Sequence, residues 1–305
     1  MSLVKVDVGS PEETVTLVDY GNGILGPTFI KPAPLMKEIF DSLPSYSFRE
    51  DDVMLCTFPK TGTNWLYEIL SMIYSKSTER VKTSKGMTMM EFMTQEEMDR
   101  FPSPRIINSH CPLKFLPKAD MQAKQIKTIL CVRNPKDTTV SMYNHLKGMN
   151  MFEYNGTWAN FVTHFRDTKL CYGESYAEYL NEFEKLLKVT QASLFTWSTL
   201  KTDGLKELDR LLEFLGVDLD DNLKIEIIQQ CGFEKMKEEK RLTVEKASGG
   251  PPASKLMFKE GFNFFRKGMV GDWKNWFTVA QNEAFNQQWT SQINADSVFK
   301  FKYSL

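Results

Sequence analysis

Apolar residues follow one another along this chain in two rhythms. Over residues 53–58 they run without a charge, which reads as a buried strand, and over residues 65–73 they recur at helical spacing, with Pro59 and Gly62 punctuating the join. The same succession is expected at residues 125–132, where a strand leads into Arg133-Asn134-Pro135-Lys136-Asp137. Asn134 there suits a helix cap and Pro135 a first helical position. Further strands are expected over residues 105–110 and 193–197. Tyr20-Gly21-Asn22-Gly23 reads as a turn, and helices are expected over 34–43, 87–98 and 200–216. The last of these lines up Leu205, Leu208, Leu211 and Leu212 on one face and stops at Gly216. Strands alternating with helices predict an α/β fold, a single domain over residues 1–305 with a central, mostly parallel sheet flanked by helices. No linker-like stretch or internal repeat divides it.

The first strand-loop-helix unit carries candidate chemistry in Thr57-Phe58-Pro59-Lys60-Thr61-Gly62-Thr63-Asn64-Trp65. A helix start leaves amides without partners and presents the positive end of its dipole, which suits a phosphate. Lys60 adds a charge, and Thr61 and Thr63 add hydroxyls. The stretch is not the G-x-x-x-x-G-K-[ST] loop of the nucleoside triphosphatases, because Lys60 precedes Gly62; an ordinary strand-to-helix turn with a solvated lysine is the plain alternative. His110 falls at the carboxyl end of an expected strand, where active residues of open α/β sheets gather. An imidazole titrating near neutrality can take a proton from an attacking hydroxyl, although a hydrogen-bonded structural histidine would look the same. The other two histidines, His145 and His164, fall in helical segments. Arg133, at another strand end, can grip a phosphate with its planar fork or sit on the surface.

Composition narrows the classes. Lys and Arg number 38 against 39 Asp and Glu, a formal net charge of -1, so no broad basic surface for nucleic acid is expected and any anion site must be local. Five cysteines without a C-x-x-C pair fit reduced thiols better than a disulfide framework or zinc, and no clustered carboxylates point to a metal. No run approaches the roughly 18 apolar residues of a membrane span, and the first residues lack a signal-peptide core, so a soluble, cytoplasmic protein without a membrane partner is expected. Sixteen methionines and 12% aromatic residues can furnish an adaptable apolar pocket, while Met89, Met90, Phe92 and Met93 are expected in the core.

The stretch Thr57 to Trp65 closely resembles the signature loop of the cytosolic sulfotransferases, which binds the 5′-phosphosulfate end of 3′-phosphoadenosine 5′-phosphosulfate (PAPS). Several further motifs extend the resemblance as far as Glu283 in the same order. Arg133-Asn134-Pro135-Lys136-Asp137 with Ser141 is similar to the family's 3′-phosphate site, and Arg266-Lys267-Gly268, after Phe264 and Phe265, to the segment that closes over the same phosphate. Asn108-Ser109-His110-Cys111-Pro112 stands where the family has Lys-Thr-His-Leu-Pro, so the resemblance implies His110 as catalytic base, with Asn108 replacing a lysine that helps neutralise the sulfuryl oxygens. It also implies adenine contacts from Trp65, Trp197, Cys231 and Phe233, with Trp197 in the place of a tyrosine and Cys231-Gly232-Phe233 in that of Thr-Ser-Phe. Acceptor-pocket roles follow for Phe29, Phe152 and Tyr172. The expected activity is transfer of the sulfuryl group from PAPS to a hydroxyl or amine of a small, largely apolar acceptor, leaving 3′-phosphoadenosine 5′-phosphate (PAP), with Lys60 stabilising the departing oxygen and no metal needed. Residues 240–265, rich in charge and then in Gly, Pro and Ser, are expected to form a mobile lid, and residues 274–283 match a dimerisation segment of the family. Two rivals are a small-molecule kinase, which would need a glycine before the loop lysine and a magnesium carboxylate, and a protein that binds nucleotide without transferring anything.

Overall fold

The computed structural model describes residues 2–27, 31–80, 85–165, 169–170, 172–188, 191–238, 258–262 and 265–305. The chain opens with β1 (Ser2–Ser10), β2 (Glu13–Asp19) and the short β3 (Leu25–Gly26), which form a three-stranded antiparallel sheet. This sheet is an addition to the expected architecture. Helix α1 (Ala33–Ser42) follows, then β4 (Val53–Thr57) and α2 (Thr63–Ser75).

The expected helix over residues 87–98 is instead two 3-10 turns, Lys85–Thr88 and Met90–Phe92, and a short α3 (Gln95–Asp99). Thr94 caps α3 and Glu97 reaches back to the Thr94 amide, a reciprocal box that starts a helix at that point and prevents one from running through it. Next come β5 (Ile106–Ser109), α4 (Lys118–Ala123), β6 (Lys127–Val132), α5 (Pro135–Gly148), α6 (Trp158–His164) and α7 (Tyr176–Leu187).

The fourth expected strand, β7 (Ala192–Thr196), ends one residue early, because Thr196 caps a new helix α8 (Trp197–Thr202). The expected helix over 200–216 is therefore divided between α8 and α9 (Gly204–Leu215), and Gly216 closes α9 in the left-handed region at φ 69°. Helix α10 (Asp221–Gln230) and a last helix, Val279–Gln292, complete the described elements used below.

The main sheet has the order β5-β4-β6-β7, and all its pairs are parallel. Alternate residues of its central strands enter different cores. Met54, Cys56, Leu130 and Val132 pack with Phe40, Tyr176 and Phe183 from α1 and α7, whereas Val53, Leu55, Ile129 and Cys131 pack with Leu66, Leu70, Leu208 and Leu211 from α2 and α9. A parallel sheet covered on both faces accounts for the uninterrupted apolar run at β4. Each such side chain contributes about 1.5–3 kcal/mol on burial, so the strand ends are held rigidly.

Candidate active site

Three strand ends converge at the carboxyl edge of the main sheet. Thr57 closes β4, His110 follows β5 and Arg133 follows β6. Between β4 and α2 the chain turns tightly: Lys60 is left-handed at φ 71° and Gly62 lies at φ 126°. A Cβ on Gly62 would come within 2.8 Å of the Trp197 ring, so both the backbone angle and the space require glycine there. Among the described residues seven helices have their first turns capped by a side chain, from Thr94, Asn134, Thr157, Ser175, Thr196, Asp220 or Thr278. No side chain caps α2, and its opening residues Gly62, Thr63, Asn64 and Trp65 line the cavity described below. Helices α1, α4 and α9 also lack a side-chain cap; what sets α2 apart is that its start lines the cavity, where its amides can meet an anion.

The loop hydroxyls are used differently from the expectation. Thr61 is fully buried and donates to the carbonyls of Phe58 (2.7 Å) and Cys131 (3.0 Å), so it ties the loop to β6 and does not line the cavity. Thr63 Oγ1 lies 2.7 Å from Thr57 Oγ1. The backbone at Arg133 is clamped by Tyr176, whose hydroxyl accepts from the Arg133 amide (3.1 Å) and donates to its carbonyl (2.8 Å). The Arg133 guanidinium stacks 4.5 Å from the Trp197 ring. Trp197 therefore orients the arginine, a contact that the sequence leaves undefined.

His110 is buried. Its Nδ1 lies 2.7 Å from the Thr57 carbonyl, which can only accept, so Nδ1 carries the proton and Nε2 the lone pair. Nε2 is 2.9 Å from Lys85 Nζ, and the His110 amide donates to Glu91 Oε1 at 2.8 Å. Burial, then the Lys85 charge and, further down, that of Lys60 hold the imidazole well below its ordinary range against the pull of the Thr57 carbonyl. Asn108 is buried and does not line the cavity. Its amide donates to the Lys85 carbonyl (2.8 Å) and to Thr88 Oγ1 (2.9 Å).

Cations gather here: Lys60, Lys85, Arg133, Arg266 and Lys267 line the cavity. Burial and the neighbouring charges of Lys85, Arg133 and Arg266 push the Lys60 ammonium down to about 7. Burial brings Lys85 to about 8, against the attraction of Glu91, and Arg133 is lowered as well, chiefly by burial. The later segment is docked by two carboxylates. Asp137 accepts from the amides of Gly271 (2.8 Å) and Trp273 (3.0 Å), and Asp272 pairs with Arg266 and Lys267. Gly268 rests so closely on the Phe233 ring that a Cβ would overlap it at 2.1 Å.

Lys60, Thr63, Lys85, His110, Arg133, Trp197 and Arg266 line one cavity of about 1030 Å³. One part is lined by Lys60, Trp65, Arg133, Ser141, Trp197, Cys231, Phe233, Phe265, Arg266, Lys267 and Gly268. Lys201, which no motif announces, sits 5.9 Å from the Trp65 ring and 5.5 Å from that of Phe233. The other part is apolar, with Met36, Met87, Met89, Phe92, Met93, Met149, Phe152 and Tyr172. Met89, Phe92 and Met93, expected in the core, thus form cavity wall as well, whereas Met90 is core alone. Phe29 and Phe264 lie outside the described residues.

The donor set fits a nucleotide carrying phosphates at two places. Trp65 Nε1 and Arg133 Nε are buried without a hydrogen-bond partner, the α2 start is uncapped, and the cations repel one another. Among the described residues no group of three or more His, Cys, Asp and Glu is placed to hold a metal ion, and no helix is long and apolar enough to cross a membrane. Cys56, Cys111, Cys131 and Cys231 are buried thiols outside any disulfide.

Comparison with known proteins gives consistent findings. The family model described as the sulfotransferase domain matches residues 50–295. Mouse sulfotransferase 1A1 is 34% identical over 270 residues, 84% of this chain and 90% of the relative, and bovine sulfotransferase 1E1 is 32% identical over 87% and 90%. Among solved structures, mouse sulfotransferase SULT7A1 complexed with PAP superposes with a TM-score of 0.69 at 28% identity, covering 86% of this chain and 91% of that one. Retinol dehydratase in complex with androsterone and inactive cofactor PAP shares the fold, with a TM-score of 0.71 at 18% identity over 97% and 92%.

Proposed function

The chain belongs to the sulfotransferase family and is a PAPS-dependent sulfotransferase, and from that premise we propose that it sulfates a hydroxyl or amine of a small, largely apolar acceptor with His110 as the general base. PAPS supplies the sulfuryl group that is transferred. The observation that carries the reading is the position of His110, whose Nε2, with Lys85 Nζ upon it, belongs to the lining of the same cavity as the uncapped start of α2 and the methionines.

The residues divide the work. Gly62, Thr63, Asn64 and Trp65 bring helix amides to one phosphate, while Arg133, Ser141, Arg266, Lys267 and Gly268 hold the other, and Trp65, Trp197, Cys231 and Phe233 enclose the base. Lys60 meets the charge that develops on the bridging oxygen, which a positioned cation stabilises most in a site with little water. His110 removes the acceptor proton through Nε2 while Nδ1 stays anchored to Thr57, so the ring keeps its direction throughout. Phe152, Tyr172 and the methionines bound the acceptor, and flexible thioethers suit varied apolar shapes. We also infer that a homodimer forms through residues 274–283, where Val279 is 74% exposed in the first turn of the last helix.

The test is transfer of labelled sulfate from PAPS to a panel of phenols, alcohols, steroids and amines. Transfer to apolar acceptors supports the reading. PAP binding without transfer to any member of the panel, or to polar saccharides alone, opposes it.

A further inference from the structure

Lys85 stands outside every motif in the sequence, yet its ammonium occupies the one basic atom the reaction needs. We propose that Lys85 is a positioning residue for His110, holding the Nε2 lone pair in the resting enzyme and yielding it to the acceptor, and that Asn108 is there to hold Lys85. The proposal rests on the reading of His110 as the base.

The geometry is specific. Lys85 opens the 3-10 turn Lys85–Thr88, immediately before the cavity residues Gly86 and Met87. Asn108, at the third position of β5, is buried, and both its amide contacts go to that turn, at the Lys85 carbonyl and the Thr88 hydroxyl. Strand β5 therefore carries the turn directly, and through it the ammonium that reaches Nε2 at 2.9 Å. The amide side chain is spent on this task, while its Oδ1 is buried without a hydrogen-bond partner. A charged side chain at position 108 could not donate to both acceptors from a neutral buried site without a large desolvation cost. The cation needed beside the histidine is thus delivered from a neighbouring turn and not from the strand.

Two consequences follow from the contact. An ammonium on Nε2 keeps the proton on Nδ1, so the ring is already the tautomer that can accept at Nε2. The same ammonium blocks the lone pair until an acceptor hydroxyl displaces it. Once displaced, Lys85 remains beside Lys60, within reach of its field, and adds positive charge next to the anion held there. The groups that face His110 are Lys85 and Glu91 from the two 3-10 turns, Lys60 from the loop after β4, and His145 from α5.

Histidine NMR provides the readout, because the chain has only three histidines, and His110→Gln assigns the relevant signal. Removing the cation in Lys85→Met should raise the His110 titration, since a like charge at this distance opposes protonation. The exposed His164 should be unmoved. The acid limb of kcat/KM should move up with it, and Lys85→Arg should restore most of the wild-type titration. Asn108→Ala, which frees the turn, should shift His110 in the same direction with Lys85 intact. An unchanged His110 titration in Lys85→Met would overturn the proposal even if activity fell, and an unchanged titration in Asn108→Ala would overturn the role given to Asn108. Because the titration is read without turnover, failure of the base assignment shows separately, as persistent transfer in His110→Ala.

Discussion

At the scale of single residues, the site holds an excess of positive charge. Lys60 and Lys85 are depressed to about 7 and about 8, which means that the ligand-free enzyme releases protons that a phosphorylated ligand should draw back. The sign follows from linkage: a group whose pKa rises on binding makes the complex bind more protons than the free protein, so affinity falls as pH climbs through the free-state value. Binding of PAP near pH 8 is therefore expected to take up protons, and its affinity to weaken between about pH 7 and pH 9, by up to about tenfold per unit for each proton taken up. Calorimetry in buffers of different ionisation enthalpy measures this directly; heats independent of the buffer would contradict the charge assignment. His110 is lowered in the same direction, by burial and by the same cations, which keeps the base neutral in mildly acidic solution.

At the scale of elements, function and stability sit at opposite ends of the same strands. The carboxyl ends of β4, β5 and β6 carry Thr57, His110 and Arg133, whereas the amino ends of β4 and β5 are joined by Asp52 and Arg105, a pair almost wholly withdrawn from solvent. Arg105 Nε donates to Asp52 Oδ1 at 2.8 Å, and the guanidinium also reaches Asp99 and the Met98 carbonyl. Removing one partner strands a buried charge, so Asp52→Ala is expected to lose about 3–5 kcal/mol in urea unfolding while the folded fraction keeps its PAP affinity. A loss below about 1 kcal/mol would show that the pair is not structural.

The strand-loop-helix units were legible in the sequence because a parallel sheet buried on both faces demands uninterrupted apolar runs, and Pro59, Gly62 and Pro135 mark where they turn. The break at Thr94 was legible in principle from Thr94-Gln95-Glu96-Glu97, and the N-terminal hairpin from the alternation Val4, Val6, Val8. Lys85 and Lys201 were not, because a lone lysine has no spacing that announces it. Each reaches the cavity only through the packing of a distant segment: Lys85 through Asn108, 23 positions on, and Lys201 through the rings of Trp65 and Phe233.

At the scale of the whole molecule, two surfaces matter beyond the cavity. The stretch expected as a lid lies mostly outside the described residues, and its described part is fastened down, with the Lys259 amide donating to the Gly148 carbonyl at 2.9 Å and Phe262 filling the space above Gly148. The other surface is the exposed Val279. If the proposed dimer forms there, Val279→Glu should convert it to monomer in analytical ultracentrifugation without loss of transfer per chain, since a single buried carboxylate costs several kcal/mol across a small interface. A wild-type chain that stays monomeric at high micromolar concentration would contradict the dimer.

The central claim is that one cavity brings an anion cradle and a neutral imidazole base to the same substrate. Single-turnover transfer of labelled sulfate from PAPS, measured in the wild type and in His110→Ala beside the PAP affinity of each, tests it most directly. The account predicts a loss of transfer of about 10²–10⁴-fold in the variant with PAP affinity within a few-fold of wild type; near-normal transfer in His110→Ala would remove the base and with it the mechanism.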